Sequence, residues 1–332
     1  MKAVIASRPG GPDVLEIVEI PTPEPGSGEV RIRVRTSAVN RADLLQRRGQ
    51  YPMPPGAGVV LGLEAAGTID ALGADVTDFD VGDRVMALLT DGGYAEQVVV
   101  PAGQIMRIPD TFNWILAAAV PEVYLTAWQA LGRDTPAAPG DWVLVHAAAS
   151  GVGIAALQIA RELGARTIAT TRSQAKAEIL EDLADVVIHT TSAEFADQVL
   201  AHTDGAGAQV IIDLVGAAYW SENVRSLALD GRLALIGLVG GARAELDLGQ
   251  LLGRRAHVIA STLRPRSLAQ KAELVADFTE WGLPRLADGR LRPTIHDLIP
   301  LTRVADAHRA LEADEAVGKI ILVVAEDGLV PM

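Results

Sequence analysis

Between residues 142 and 260 the apolar positions fall in short runs separated by stretches of helical spacing. Trp142 to Ala147, Thr167 to Thr171, Val186 to Ile188, Val210 to Leu214, Arg232 to Ile236 and His257 to Ala260 read as strands, with helical stretches such as Gln174 to Leu183 or loops between them. Such alternation predicts βαβ units around a parallel sheet, and continuous runs such as Val210-Ile-Ile212 suit strands covered on both faces. Before residue 120 the pattern changes. Asp13 to Glu19, Glu29 to Ser37, Ala65 to Leu72, Arg84 to Leu88 and Tyr94 to Val100 are short and alternating, divided by turns such as Pro21 to Gly26 and Asp80 to Asp83. This part predicts an antiparallel, β-rich domain distinct from the α/β one.

The join between the first α/β strand and its helix carries the clearest chemistry. Asp141-Trp-Val-Leu-Val-His-Ala-Ala-Ala-Ser-Gly-Val-Gly-Ile154 leads from a strand through a small-residue turn, Ala148 to Gly153, into a helix predicted from near Ile154 to Leu163-Gly164. Unpartnered amides at a helix start carry partial positive charge, and small side chains let a pyrophosphate approach them. Ala148 and Ser150 stand at the first two positions of Gly-x-Gly-x-x-Gly and Gly153 at the third. Ser150, Gly151, Val152 and Gly153 are the candidate phosphate contacts. The alternative on spacing alone is a tight strand-helix turn of another α/β protein. Gly216, Gly237, Gly240 and Gly241 lie past the fourth and fifth strand ends, where an open α/β sheet binds its ligand.

The end of the second strand bears on which dinucleotide. An NAD site would place an acid there for the ribose hydroxyls, but the chain reads Thr170-Thr171-Arg172-Ser173-Gln174-Ala175-Lys176. Arg172 and Lys176 supply the cations that a 2′-phosphate needs, and Thr171 and Ser173 supply hydroxyls, so NADPH is the expected cofactor. Ser173 can also be read as the N-cap of a solvated helix, although cations at a helix start oppose its dipole.

Composition narrows the remaining classes. The 332 residues allow about two domains, and their formal charge of −13 disfavours nucleic acid as a general partner. With no cysteine there is no disulfide framework, thiolate nucleophile or Cys-ligated zinc. The six histidines (146, 189, 202, 257, 296 and 308) lack metal-ligand spacing. Met1 to Ala6 is too short for a signal h-region and no apolar run reaches membrane-spanning length, so the expectation is a cytoplasmic protein with no membrane partner. In Ser37-Ala-Val-Asn-Arg-Ala-Asp-Leu44, Asn40 and Asp43 on spacing alone read as an N-cap and its N3 partner.

Taken in order, Asn40-Arg-Ala-Asp43, Leu61-Gly-Leu-Glu-Ala-Ala-Gly67, Val81-Gly-Asp-Arg-Val85, Pro121-Glu-Val-Tyr-Leu-Thr-Ala127, Ala148 to Gly153 and Val317-Gly-Lys-Ile-Ile-Leu322 resemble the medium-chain dehydrogenase/reductase superfamily. Gln46 to Tyr51, Tyr219 to Asn223 and Leu227 to Arg232 make the chain most similar to its zinc-free quinone oxidoreductase branch, in particular the tumour-suppressor-inducible subgroup. The resemblance implies an α/β fold in which a Rossmann domain (121–261) is inserted into a GroES-like catalytic domain (1–120 and 262–332). It also implies that the nicotinamide lies in a cleft between the domains and that the chain forms a homodimer or homotetramer.

Zinc-dependent relatives place a His before the Glu of the Leu61 to Gly67 region and supply Cys ligands, whereas here Leu63 precedes Glu64 and cysteine is absent. No zinc is therefore expected, and electron-poor acceptors such as quinones or activated enones fit hydride transfer without a Lewis acid. The resemblance puts Asn40, Tyr51 and Thr126 beside the nicotinamide and substrate. Tyr51, before Pro52-Met-Pro-Pro55, could stack on a flat quinone or be an ordinary loop tyrosine, and Thr126 could instead bond its own helix backbone. Gly237, Leu238 and Val239 would offer backbone groups to the carboxamide. Val215, Gly216, Leu263 and Lys319 complete the implied cofactor contacts. Two positions depart from the family pattern: Thr190 replaces a frequent Tyr near the adenosine phosphate, and Arg172 stands where close relatives carry a small residue. The implied reaction is NADPH-dependent quinone reduction. An enone or enoyl reductase, and a non-catalytic NADPH-binding accessory protein, are the alternatives.

Overall fold

The computed structural model describes residues 1–51 and 58–325; Pro52 to Pro55, flanking Tyr51, and residues 326–332 of the C-terminal segment lie outside the described residues. The chain divides into two compact units, Met1–Leu125 with Leu263–Met332, and Thr126–Thr262.

In the Thr126–Thr262 unit the strands are Trp142–Val145, Arg166–Thr171, Val186–His189, Ala208–Asp213, Leu227–Leu235 and His257–Ala260. All neighbours pair in parallel, in the spatial order third, second, first, fourth, fifth, sixth. The first strand thus lies between the second and the fourth. Strand order reverses there, which opens a crevice outside the carboxyl ends. Leu144, Ile168, Ile211 and Leu233 pack on one face with Phe195, Val199 and Tyr219, while Val143, Val145 and Ile212 are equally buried. Coverage on both faces is why these runs are continuously apolar.

Several boundaries differ from the pattern, three of them with a local cause. The first strand stops at Val145 because Ala147 turns into the left-handed region, at φ 46°. The helix expected from near Ile154 starts at Gly151 and runs to Glu162: Ser150 Oγ accepts the Gly153 N–H at 3.1 Å, which draws both glycines into its first turn. The fifth strand begins at Leu227 and not at Arg232, with a register shift opposite Ala208 and Val210 and an excursion of Asp230 to φ 59°.

In the other unit the Glu29–Ala38 strand is central. It pairs antiparallel with Glu64–Leu72 and Gln97–Pro101, and Glu64–Leu72 continues to Arg84–Leu88 and Ile105–Arg107. From the C-terminal segment, Lys319–Val323 pairs antiparallel with the end of Glu29–Ala38, and Ile295–Pro300 pairs with Lys319–Val323 in parallel. The strands before residue 120 pair antiparallel, as their alternation predicts, and the parallel pair is added by the C-terminal segment, with the helix Val304–Glu312 crossing over between its strands. The early pattern also missed Lys2–Ala6, which pairs with Leu15–Glu19, and the strand it began at Tyr94 starts at Gln97. Val30, Ile32 and Val34 alternate into a core with Ile69, Val85, Ala87, Val98 and Val100. At Thr36, Ser37 and Ala38 the alternation gives way to burial of every residue. That covered end holds the polar cluster described next.

Candidate active site

Asn40 caps the helix Arg41–Arg47, and Asp43 Oδ2 accepts its backbone N–H at 2.8 Å, so the capping arrangement read from spacing is present. The Asn40 side chain also does something spacing did not show. Its Nδ2 donates to Glu64 Oε1 at 2.8 Å, and its Oδ1 accepts from Lys319 Nζ at 2.6 Å. Lys319 Nζ also donates to Glu64 Oε1 at 2.7 Å and to the Val39 carbonyl at 3.1 Å. Glu64 Oε2 accepts the backbone N–H of Glu122 at 2.8 Å. The structure thus brings Asn40 and Lys319, far apart in sequence, onto one buried carboxylate: Glu64 is 0% and Lys319 4% exposed.

Two further carboxyls adjoin this cluster. Burial pushes Asp43 up to about 6, against the bonds from the Asn40 N–H and the Tyr94 hydroxyl. Glu122 is pushed up to about 8 by burial and then by the Glu64 charge, although its side chain keeps partial access to water. Tyr51 is pushed up to about 12, by burial first and by Glu122 next, against the Arg264 charge. It therefore keeps its phenolic proton at neutral pH and can donate a hydrogen bond. The Arg264 guanidinium carbon lies 5.2 Å from the Tyr51 ring centroid. Arg264 Nε donates to the Thr90 carbonyl at 2.8 Å, and Lys271 Nζ donates to Thr90 Oγ1 at 2.9 Å. Leu263, from the same segment, is buried.

The Thr126–Thr262 unit holds the remaining positions, with Thr126 half-buried in the helix Pro121–Trp128. A Cβ on Gly153 would meet the Ala148 and Ala147 carbonyl oxygens at 2.6 and 2.7 Å, so only glycine lets the helix start pack this closely against the turn. Gly216, at φ +83°, leaves no room either, since a Cβ would lie 2.8 Å from the Gly241 carbonyl. The loops after the fourth and fifth strands are tied together, Gly240 N–H donating to the Val215 carbonyl at 2.8 Å and Ala217 N–H to the Gly241 carbonyl at 3.0 Å. This joins Val215 and Gly216 to the loop of Gly237, Leu238 and Val239, whose Leu and Val side chains are exposed.

After the second strand, Ser173 Oγ caps the helix Gln174–Leu180 by accepting the Lys176 N–H at 3.4 Å, and Thr171 Oγ1 accepts the Ser173 N–H at 3.3 Å. The capping alternative for Ser173 is therefore real. It leaves Arg172 exposed beside the turn, close enough to Tyr219 to oppose the upward push that burial gives that phenol. Thr190 is buried, its hydroxyl donating to the Glu194 carbonyl at 3.2 Å.

Among the described residues no group of three or more His, Cys, Asp or Glu is placed to hold a metal ion. Glu64 has its oxygens on an ammonium, a side-chain amide and a backbone amide. A catalytic zinc does not fit these residues. Glu64, Glu122, Asp43 and the Arg264–Tyr51 contact were not extracted as chemistry from the sequence. Glu64 and Glu122 do lie inside the quoted motifs, but only the fold makes them neighbours.

Residues 26–110 match the family model described as an alcohol dehydrogenase GroES-like domain, and residues 151–278 the one described as a zinc-binding dehydrogenase. A quinone oxidoreductase from Pseudomonas aeruginosa is 33% identical over 95% of this chain and 97% of its own length. The chain belongs to the medium-chain dehydrogenase/reductase superfamily. Within the superfamily, an acryloyl-coenzyme A reductase from Sulfurisphaera tokodaii is 30% identical over 97% of this chain and 99% of its own. The polyketide synthase GfsB of Streptomyces halstedii is 36% identical over 90% of this chain, which spans only 5% of that protein. The Escherichia coli quinone oxidoreductase structure, complexed with NADPH, superposes with a TM-score of 0.89 at 27% identity, covering 98% of this chain and 100% of that one.

Proposed function

We propose that this chain is an NADPH-dependent quinone oxidoreductase that transfers hydride without zinc. The observation that carries the reading is the carboxyl edge of the parallel sheet, where a glycine-limited helix start and the Arg172 turn meet the needs of a pyrophosphate and a 2′-phosphate. The P. aeruginosa and E. coli quinone oxidoreductases, the latter complexed with NADPH, support the reaction and cofactor.

In this reading the N–H groups of Gly151, Val152 and Gly153, with the Ser150 hydroxyl, hold the pyrophosphate. Thr171, Arg172, Ser173 and Lys176 hold the adenosine phosphate. Val215, Gly216, Gly237, Leu238 and Val239 present backbone groups to the nicotinamide, and Leu263 is a further cofactor contact. NADPH, when bound, supplies hydride from C4 of its nicotinamide. Asn40, fixed by Glu64 and Lys319, orients the nicotinamide and acceptor with Thr126, while Tyr51 stacks on or hydrogen-bonds a flat acceptor. Lys319 acts on the cofactor side through Asn40 and Glu64.

The acryloyl-coenzyme A reductase relative favours a second reading, reduction of an enoyl thioester. Initial rates of NADPH oxidation with an ortho-quinone, a para-quinone, an enone and a crotonyl thioester separate the two. Quinone turnover well above thioester turnover supports the proposal, the reverse order supports the second reading, and tight NADPH binding without turnover points to an accessory protein. We further read the chain as a cytoplasmic homodimer or homotetramer. His257–Ala260 is the outermost strand of its sheet and leaves Val258 exposed, with Leu248 and Leu252 exposed on the helix Leu248–Arg254.

A further inference from the structure

The residue that follows the first strand of the Thr126–Thr262 unit, immediately before the small-residue turn, is a fully buried histidine with no part in the reaction above. His146 Nε2 lies 2.6 Å from Asn223 Oδ1, and its Nδ1 lies 2.8 Å from Thr170 Oγ1. Asn223 Nδ2 donates to Asp213 Oδ2 at 3.0 Å, and Asp213 Oδ1 accepts the N–H groups of Val215 and Gly216 at 2.7 and 2.9 Å. Thr170, His146, Asp213 and Asn223 are all 0% exposed.

The direction of every bond follows from the chemistry of its end. An ionised Asp213 only accepts, so Asn223 turns its NH₂ toward it and its carbonyl oxygen toward His146. That oxygen needs a donor, which makes Nε2 the protonated nitrogen. Burial keeps the imidazole neutral, lowering its pKa against the pull of Asp213, so Nδ1 accepts from the Thr170 hydroxyl. Phe195 and Tyr219 rings, with centroids 4.8 and 4.9 Å away, hold the imidazole in place. Main-chain bonds run beside the chain, from His146 N–H to the Ile212 carbonyl at 3.0 Å and from Ala148 N–H to the Thr170 carbonyl at 3.2 Å.

We infer that His146 is a positioning residue for the dinucleotide site, locking three of its turns in register through the one-way chain Thr170, His146, Asn223, Asp213. Its two ends are the places where the cofactor reading needs accuracy. Thr170 immediately precedes Thr171 and Arg172, Asp213 forms the Val215-Gly216 turn, and His146 adjoins Ala147 at the start of the phosphate turn. A phenylalanine would supply a flat ring of similar shape to this aromatic surround but neither of the two bonds. The inference rests on the proposed NADPH site.

The test is NADPH binding to the full chain by fluorescence titration, with kcat at saturating NADPH, for the wild type, His146→Phe, Thr170→Val and Thr170→Ser. Loss of one buried hydrogen bond, about 1 to 1.5 kcal/mol, corresponds to a roughly tenfold weaker Kd. His146→Phe and Thr170→Val should each raise Kd about tenfold with kcat within about threefold of wild type, and Thr170→Ser, which keeps the donor, should restore wild-type binding. Imidazole ¹⁵N shifts should show the proton on Nε2. A proton on Nδ1, or wild-type Kd in a folded His146→Phe or Thr170→Val protein, overturns the inference; if His146→Phe does not fold, Thr170→Val decides. A wild type that binds no NADPH overturns the cofactor reading and takes the positioning role with it, whereas a wild type that binds while the variants match it sinks the positioning role alone.

Discussion

Replacing Lys319 with Met removes the ammonium bonded to a carboxylate that is 0% exposed, and leaves Glu64 with two amide donors, each at 2.8 Å, among the described residues. Removing one partner of a buried ion pair costs about 3–5 kcal/mol, because the remaining charge stays desolvated. Retention of the Asn40 and Glu122 amides puts this case at the low end, about 3 kcal/mol. For the unit of about 195 residues that holds the cluster, that is a fall in Tm of about 6–12 °C. Glu64→Gln with Lys319→Met leaves a neutral group among the same amides and should cost about 1 kcal/mol, because replacing both partners avoids the stranded charge. A double-mutant cycle read by thermal and urea unfolding gives the coupling. The reasoning fails if Lys319→Met costs less than about 1 kcal/mol, or if the two single costs simply add.

Three other outcomes follow from the site. Arg172→Ala should raise the KM for NADPH tenfold to a hundredfold, the worth of about 1.5–3 kcal/mol for a charge-assisted bond, while the KM for NADH changes little; an unchanged NADPH/NADH ratio contradicts the assignment. Gly153→Ala should destabilise the Thr126–Thr262 unit by about 1–3 kcal/mol and weaken NADPH binding, since the new Cβ lies 2.6 Å from a backbone oxygen, as melting and titration would show. Glu122 titrates near 8 in the folded chain against 4.5 ordinarily, so the native state holds more protons in that window and its stability falls as pH rises through it. Denaturation midpoints from pH 5 to 8 should show a slope of up to about 1.4 kcal/mol per pH from Glu122, removed by Glu122→Gln; the Asp43 contribution, of the same sign and lost as pH rises through about 6, should remain.

The parallel sheet was legible because strands buried on both faces leave continuous apolar runs, as at Val143-Leu-Val145 and Val210-Ile-Ile212. Boundaries set by a side-chain cap or a positive φ were not: Ser150 moves a helix start by three residues, and the fifth strand runs back through Asp230, at positive φ, to Leu227. Ile295–Pro300 was missed because His296, Asp297 and Leu298 are all exposed and give no alternating core signal. At the site, Ser150 to Gly153 and the Arg172 turn could be read locally, since a phosphate site is built from consecutive amides. The Asn40–Glu64–Lys319 cluster could not, because its members lie 24 to 279 residues apart and meet only when the last strand joins the Glu29–Ala38 strand. Asn40 shows why spacing alone favoured the plainer answer: it is a helix cap, and its side chain has a second use. His146 was visible only as one of six scattered histidines, and its bonding depends on three other strands or helices.

The central claim is hydride transfer from NADPH to a quinone. It is met most directly by steady-state oxidation of NADPH and of NADH, in parallel, by one ortho-quinone. The expected result is a kcat/KM for NADPH at least about tenfold above that for NADH, the lower bound for a charged 2′-phosphate contact. Equal or greater efficiency with NADH, or no oxidation of either nucleotide by the quinone, contradicts it.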